Sequence, residues 1–336
     1  MNKSSRIYSK ISGTGRFLPE TIWTNEDLSK WVDTTDEWIF ARTGIRTRHI
    51  ASKDETASGM GVKAAKQALD MAGLLPQDIQ MVIATTGTPD RLYPACACLI
   101  QKQLAIPVGR PAFDVQVACS GFVYALSIAD QFIQTGHVKN VLIVSTEMLS
   151  RLIDWKDRNT CVLFGDGAGA VVLQASEEPG ILATTICADG AQGDLLTVDN
   201  MQLGNYNESI NMLNQPLDTL NPYIQLQGRS IFKNAVQRLA ELVTDFKKNP
   251  LLENESIDWL VPHQANIRVI QATAQKLNLP MEQVICTIET HSNTSSASIP
   301  LALDVAVRDG RIRRGQNLLL EAFGAGLTWG SCFVKF

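Results

Sequence analysis

The feature that most constrains this chain is a regular exchange of short apolar strand-like runs with longer segments of helical spacing. Residues 56–72 place Val62, Ala65, Leu69 and Ala72 on one helical stripe, with Gly73 set to end it. Residues 79–85 form a short apolar strand. Residues 112–118 form another and run straight into a helix whose stripe is Phe122, Ala125, Leu126, Ala129, Phe132 and Ile133, ending near Gly136. Residues 138–145 and 161–174 read as further strands. In the second half, 231–246, 266–277 and 299–307 read as helices, and 259–262, 284–288, 318–323 and 328–336 as strands. This alternation predicts an α/β fold with buried, mostly parallel sheets. Each half carries a reactive side chain from a strand end to a helix start, Cys119 in the first and His263 in the second. The expectation is two similar halves, 1–178 and 179–336. Residues 189–227, rich in Asn, Gln and Leu, form a connecting excursion that could act as a lid or dimer element.

Composition narrows the function classes. A net charge of −4 with no long basic run excludes a coat for nucleic acid, although a local basic patch for an acidic partner is compatible with it. No apolar run approaches the roughly 20 residues that cross a bilayer. Residues 1–10 lack the apolar centre of a secretory signal. Cys96, Cys98, Cys119, Cys161, Cys187, Cys286 and Cys332 follow no zinc or disulfide spacing, which predicts a reduced, cytoplasmic protein.

Cys119 sits in Phe113-Asp114-Val115-Gln116-Val117-Ala118-Cys119-Ser120-Gly121-Phe122, where the first N–H groups of a helix favour a thiolate. Its pKa is expected below the free value of about 8.5, with Gly121 leaving room for a substrate. A buried apolar cysteine is the competing reading. His263 follows Pro262 at a strand end, where the coming helix start should keep the ring neutral and able to donate to an oxyanion. His291 is its rival. Asn293 lies in a Ser/Thr-rich stretch that reads equally as a turn or cap. Gly324-Ala325-Gly326 reads as a hairpin turn or as a backbone N–H for an oxyanion hole. The glycines of 164–170 lack the phosphate-loop spacing and read as a tight turn.

Taken together, Thr43-Gly44-Ile45-Arg46, the stretch around Cys119, residues 164–170, 261–266 and 321–330, and Asn293-Thr294-Ser295 resemble the β-ketoacyl-acyl-carrier-protein synthase III family over nearly the whole chain. That resemblance implies a thiolase-like αβαβα sandwich, a homodimer, and a Cys119-His263-Asn293 triad. It implies an oxyanion hole from the N–H groups of Cys119 and Ala325. Coenzyme A contacts would fall on Trp38, Arg42, Arg158 and Asn266, with adenine between an indole and a guanidinium. Lys233 and Arg268 would meet an acyl carrier protein, and Tyr93 and Phe323 would shape the acyl pocket, the bulk of Tyr93 suiting a short primer. The implied reaction condenses an acyl-CoA, with acetyl-CoA the expected primer, with a decarboxylated malonyl thioester on the carrier protein. It uses coenzyme A as substrate and no cofactor or metal. Ser292 stands where the family has glycine, and Ala325 where it has the middle of three. Related readings are a condensing enzyme of secondary metabolism, an acyl-CoA hydrolase, and a dead acyl-binding partner. A degradative thiolase fits less well, because no cysteine lies in the 324–326 loop.

Overall fold

The computed structural model describes residues 7–199, 221–250 and 252–336. One sheet contains β1 (Tyr8–Phe17), β2 (Met81–Thr85), β3 (Ala112–Val115), β4 (Asn140–Met148) and β5 (Asp166–Ser176), in the order β1-β5-β4-β2-β3. A second contains β6 (Ile181–Ala188), β7 (Trp259–Pro262), β8 (Asn317–Gly324) and β9 (Thr328–Lys335), in the order β7-β8-β9-β6. The described helices of eight residues or more are α1 (Asp36–Thr43), α2 (Ala57–Ala72), α3 (Cys96–Leu104), α4 (Gly121–Gln134), α5 (Gly228–Lys248), α6 (Ile267–Leu277) and α7 (Ser298–Arg308).

Burial sorts these elements into five layers. The sheets sandwich α4 and α7, so Phe122, Leu126, Ile299 and Leu303 share one core with Ile83 and Val171 of the first sheet and Leu318, Leu320 and Cys332 of the second. On the outer face of the first sheet, α2 and α3 set Ala64, Ala68 and Ile100 against Val82, Val144 and Val172. Over the second sheet, α5 and α6 bring Leu239 and Val269 onto Phe323 and Trp329. The helix α2 forms where its stripe predicts: the Thr56 side chain accepts the Gly59 N–H, and Gly73 ends it at φ +65°.

Three expectations need correction. The sheets are mixed: β2 runs parallel to β3 and β4, and β7 to β8, while β5 is antiparallel to β1 and β4, and β9 to β8 and β6. The β8–β9 hairpin forms where the turn at Gly324–Gly326 predicts it, and the antiparallel partners β1, β5 and β6 are what make the sheets mixed rather than mostly parallel. Residues 284–288 are not a strand; a single bridge joins Leu260 to Val284, and a short helix starts at Ile288. The glycines of 166–170 are not a turn but the start of β5. A Cβ on Gly169 would lie 2.8 Å from the Leu301 N, so glycine there admits the approach of α7. Of the connecting excursion, 200–220 lie outside the described residues. The flanking 196–197 and 225–226 pair as a two-stranded ribbon.

Along β8 the side chains alternate: Leu318, Leu320 and Ala322 enter the central layer, whereas Leu319, Glu321 and Phe323 face the outer helices. That period-two pattern puts one carboxyl, Glu321, on a face otherwise apolar.

Candidate active site

After β3 the chain makes a 3-10 turn, Ala118–Ser120, with Ala118 at φ +46°, and enters α4 at Gly121. The turn is held from the second sheet: Ser120 donates to the Thr328 carbonyl at 2.9 Å, and Thr328 donates to Val117 and Ala325 carbonyls at 3.2 and 2.9 Å. Gly324 is packed so closely that a Cβ there would lie 2.8 Å from the Cys119 N. Glycine is required for this contact, and the contact sets the Gly324–Gly326 turn beside the cysteine. Gly121 has a different use from the one expected. Its open side is filled by Thr85 and Ser296 rather than left to substrate.

Cys119 is 8% exposed and lies on the wall of two cavities, of about 170 and 690 Å³. The smaller is lined also by His263, Asn293, Asn266, Phe323 and Glu321. Ala325, Ser295, Glu147, Arg91 and Leu92 line the larger. The lowered thiol pKa expected from the helix start is not what the structure gives. Burial pushes Cys119 up to about 12, a Ser295 hydrogen bond acts downward, and nearby Glu147 acts upward. Lost hydration of the thiolate outweighs the N–H groups of the turn.

His263 is neutral, as expected, but burial is the cause: it lowers the ring to about 3. The helix α6 begins only at Ile267. The His263 N–H donates to the Glu321 carbonyl at 2.7 Å. Ser298 Oγ accepts the Gln264 N–H at 3.2 Å and meets His263 Nδ1 at 2.6 Å. Gln264 fixes the strand end, giving hydrogen bonds to the Pro262 and Ile285 carbonyls and accepting two N–H groups from Thr287 and Ile288. Asn293 is pinned by its backbone to Leu163 and Gly165, at 3.0 and 3.1 Å, and its Oδ1 accepts the Ser295 N–H at 2.8 Å. With Oδ1 committed, the amide N–H₂ is the end left for the cavity. The rival His291 packs its ring on His49, 6.1 Å between centroids, and lines neither cavity. Cys332 is buried in the central core.

Beside Asn266, which lines the smaller cavity, the Arg42 and Arg158 guanidinium carbons stand 4.3 and 4.8 Å from the Trp38 ring centroid. Asn266 donates to the Arg42 carbonyl at 3.0 Å and caps α6 through the Arg268 N–H, while Arg268 itself donates to the Ala41 carbonyl at 2.9 Å. Trp38, Arg42, Arg158, Asn266 and Arg268 are thus gathered together, with both guanidinium groups against the indole. Lys233 is exposed on α5, next to the cavity-lining Phe232. Tyr93 is not brought to the site. It is 87% exposed and lines neither cavity of this chain.

Four contributors were not singled out from sequence. Ser298 and Ser295 were hidden in a polar stretch that reads as a turn. Glu147 and Glu321 each interrupt an apolar strand, and that was the available signal, because a carboxyl buried in a sheet needs a reason. Among the described residues no group of three or more His, Cys, Asp or Glu could hold a metal ion, and no helix is long and apolar enough to cross a membrane.

A thiolase-fold sandwich with a buried cysteine, a neutral histidine and an asparagine on one cavity is the outline of a condensing enzyme. The family model described as 3-oxoacyl-[acyl-carrier-protein] synthase III matches residues 113–190, and that of its C-terminal part matches 248–336. The chain is 53% identical over 329 residues to the β-ketoacyl-[acyl-carrier-protein] synthase III of Thioalkalivibrio sulfidiphilus, covering 98% of this chain and 99% of that protein. It is 51% identical to that of Methylococcus capsulatus, with the same coverage. The crystal structure of 3-oxoacyl-[acyl-carrier-protein] synthase III from Aquifex aeolicus superposes with a TM-score of 0.87 at 46% identity, over 98% of this chain and 100% of that one. The priming β-ketosynthase of the R1128 polyketide pathway gives 0.89 at 34% identity, over 99% and 98%. The chain belongs to the β-ketoacyl-[acyl-carrier-protein] synthase III family of condensing acyltransferases.

Proposed function

We propose that this enzyme starts fatty acid synthesis by joining an acyl-CoA primer, acetyl-CoA, to malonyl-acyl-carrier protein through an acyl group on Cys119. The observation that carries this reading is the position of Cys119 on two cavities at once, with His263 and Asn293 on one of them. In the first half-reaction Cys119 Sγ bonds to the thioester carbon, the carbon–sulfur bond to coenzyme A breaks, and the thiol proton goes to the departing sulfur. Since both Cys119 and His263 rest uncharged, that proton is carried by the Nδ1–H tautomer of His263, which donates to Ser298 Oγ and leaves the Nε2 lone pair free; the Nε2–H tautomer serves the second half-reaction. The oxyanion is met by the N–H groups of Cys119 and Ala325. In the second, the malonyl unit loses carbon dioxide and its electrons pass to the thioester oxygen as an enolate. A Ser298 hydroxyl donating to Nδ1 leaves the ring proton of His263 on Nε2, so His263 and Asn293 both donate to that oxygen. The enolate carbon bonds to the acyl carbon, and Cys119 leaves as thiolate and takes up a proton. Thioester chemistry of this kind uses no metal or redox cofactor.

Coenzyme A is assigned to Trp38, Arg42, Arg158 and Asn266, and the acidic carrier protein to Lys233 and Arg268. Phe323 borders the acceptor side. We place the enzyme in the cytoplasm on its cysteine pattern, and a homodimer is supported by β3. It is an edge strand, its only described ladder is to β2, and exposed Leu92, Tyr93 and Val108 lie in the loops before it. Pairing of two such edges would give Tyr93 a role in the partner's primer pocket. Residues 1–178 and 179–336 are taken as the two halves. Identities of 53 and 51% to the carrier-protein synthases, against 34% to the polyketide priming enzyme, favour primary lipid synthesis. The test is a panel of acyl-CoAs with malonyl-carrier protein, read by product mass. Acetoacetyl-carrier protein is expected from acetyl-CoA; free acetate and coenzyme A without a condensed product would instead identify a thioester hydrolase.

A further inference from the structure

Glu321 is 1% exposed, lines the smaller cavity, and among the described residues neither carboxyl oxygen meets a donor. Thr273, on the same cavity, also has a buried hydroxyl with no partner among the described residues. Among the described residues, no Lys or Arg lines this cavity with Glu321. The other titratable groups lining the cavity are Cys119 and His263. From the elements packed around it, Arg229, Lys233, Arg238, Glu241 and Asp245 of α5, and Arg268 and Lys276 of α6, do not line that space. The residue opposite Glu321 on β9 is Ser331, and on β7 Pro262. A lone carboxylate there would be uncompensated, so the carboxyl is held in its acid form. An acid with no protein partner has a proton to give and a lone pair to fill, and a cavity is where both can be met.

This inference rests on the condensing reaction above. We propose that Glu321 is a positioning residue for the condensation half-reaction: as a neutral acid it shares a bound water with the Thr273 hydroxyl, and so orders the acceptor side of the cavity beside His263 without placing a negative charge where the enolate forms. Burial holds its acid proton up to about pH 8.

The test separates the half-reactions in the intact enzyme. Acetylation of Cys119 by acetyl-CoA is timed by mass, and condensation of the acetylated enzyme with malonyl-carrier protein is timed separately from pH 6 to 9.5. Glu321→Leu should acetylate at a rate near that of the parent but condense at least about tenfold more slowly, the loss expected of a misplaced reaction partner. Glu321→Gln, which is uncharged and of the same shape, should restore most of that rate. The parent should decline in condensation above about pH 8, and Glu321→Gln should remove that decline. Thermal melts identify any variant that fails to fold, and Glu321→Gln is the arm on which the decision then rests. Equal loss in Gln and Leu variants, with folding intact, would mean that the carboxylate itself is required, and would overturn the proposal. So would parent-like rates and pH profiles in both. Failure of every variant and the parent to acetylate would count against the condensing reaction, not against Glu321.

Discussion

Two buried carboxyls flank Cys119, and their surroundings are opposite. Glu147, at the end of β4, accepts the Gly87 N–H at 3.0 Å and the Thr88 and Ser296 hydroxyls at 3.2 and 2.6 Å. It fastens the loop after β2 to the 295–298 segment of the second sheet's half, and that segment carries Ser298 behind His263 and Ser295 on Asn293. Glu321, near the end of β8, has no such partners among the described residues. Burial raises both, to about 7 and about 8. The difference teaches that burial alone does not say what a carboxyl is for. One is used up holding the framework, and the other faces the space where substrate reacts.

The sharpest way to break this contrast is at the donors that face the enolate. His263→Ala and Asn293→Ala should each lower condensation about 10²–10³-fold, the usual effect of losing one oxyanion donor, while acetylation of Cys119 falls less. Single-turnover timing of each half-reaction checks this, and equal loss in both would contradict the assigned roles. Glu147→Ala should act on stability instead. Removing this acceptor orphans the Gly87 N–H and leaves the Ser296 and Thr88 hydroxyls only their longer contacts to the Thr85 carbonyl and Thr86 Oγ1, costing about 2–4 kcal/mol, readable as a lower melting temperature, with Glu147→Gln costing less. A loss of acetylation with unchanged stability would make Glu147 a chemical rather than a structural group.

The smallest effect is on stability against pH. His263 and His291 are depressed by burial, to about 3 and about 4, so their contribution is complete above the unfolded value of 6.5 and is lost as pH falls toward those values. Glu147 and Glu321 are raised, so theirs is complete below 4.5 and is lost as pH rises through about 7 and about 8. Melting temperature should therefore peak on the mildly acidic side of neutrality. In Glu147→Gln and Glu321→Gln the alkaline decline should flatten, and a decline as steep as the parent's would assign it to other groups.

How legible the site was followed from how local its causes are. The strand-to-helix delivery of Cys119 and the Pro262-stiffened approach of His263 are written in adjacent residues. Thr56 and Asn266, read as the first helical residues, turn out to be the N-caps, whereas the helix end at Gly73 is written there too. The fate of the thiol was not: its raised pKa comes from enclosure by Gly324, Phe164 and the second sheet, which are distant in the chain. The strand at 166–176 was read across its glycines as a turn because glycine has little preference for strands, and the reason for those glycines is α7 lying against them. Alternation along 318–323 was legible as a strand, yet which face Glu321 took depended on the register of β8 between β7 and β9.

The account stands on a buried sulfur reachable from two sides. Incubating the enzyme with acetyl-CoA and mapping the adduct by peptide mass tests it most directly. The result predicted is one acetyl group, on Cys119, lost on adding malonyl-carrier protein and absent from Cys119→Ser. An acetyl group on any other residue, or a Cys119 adduct that malonyl-carrier protein leaves in place, would contradict it.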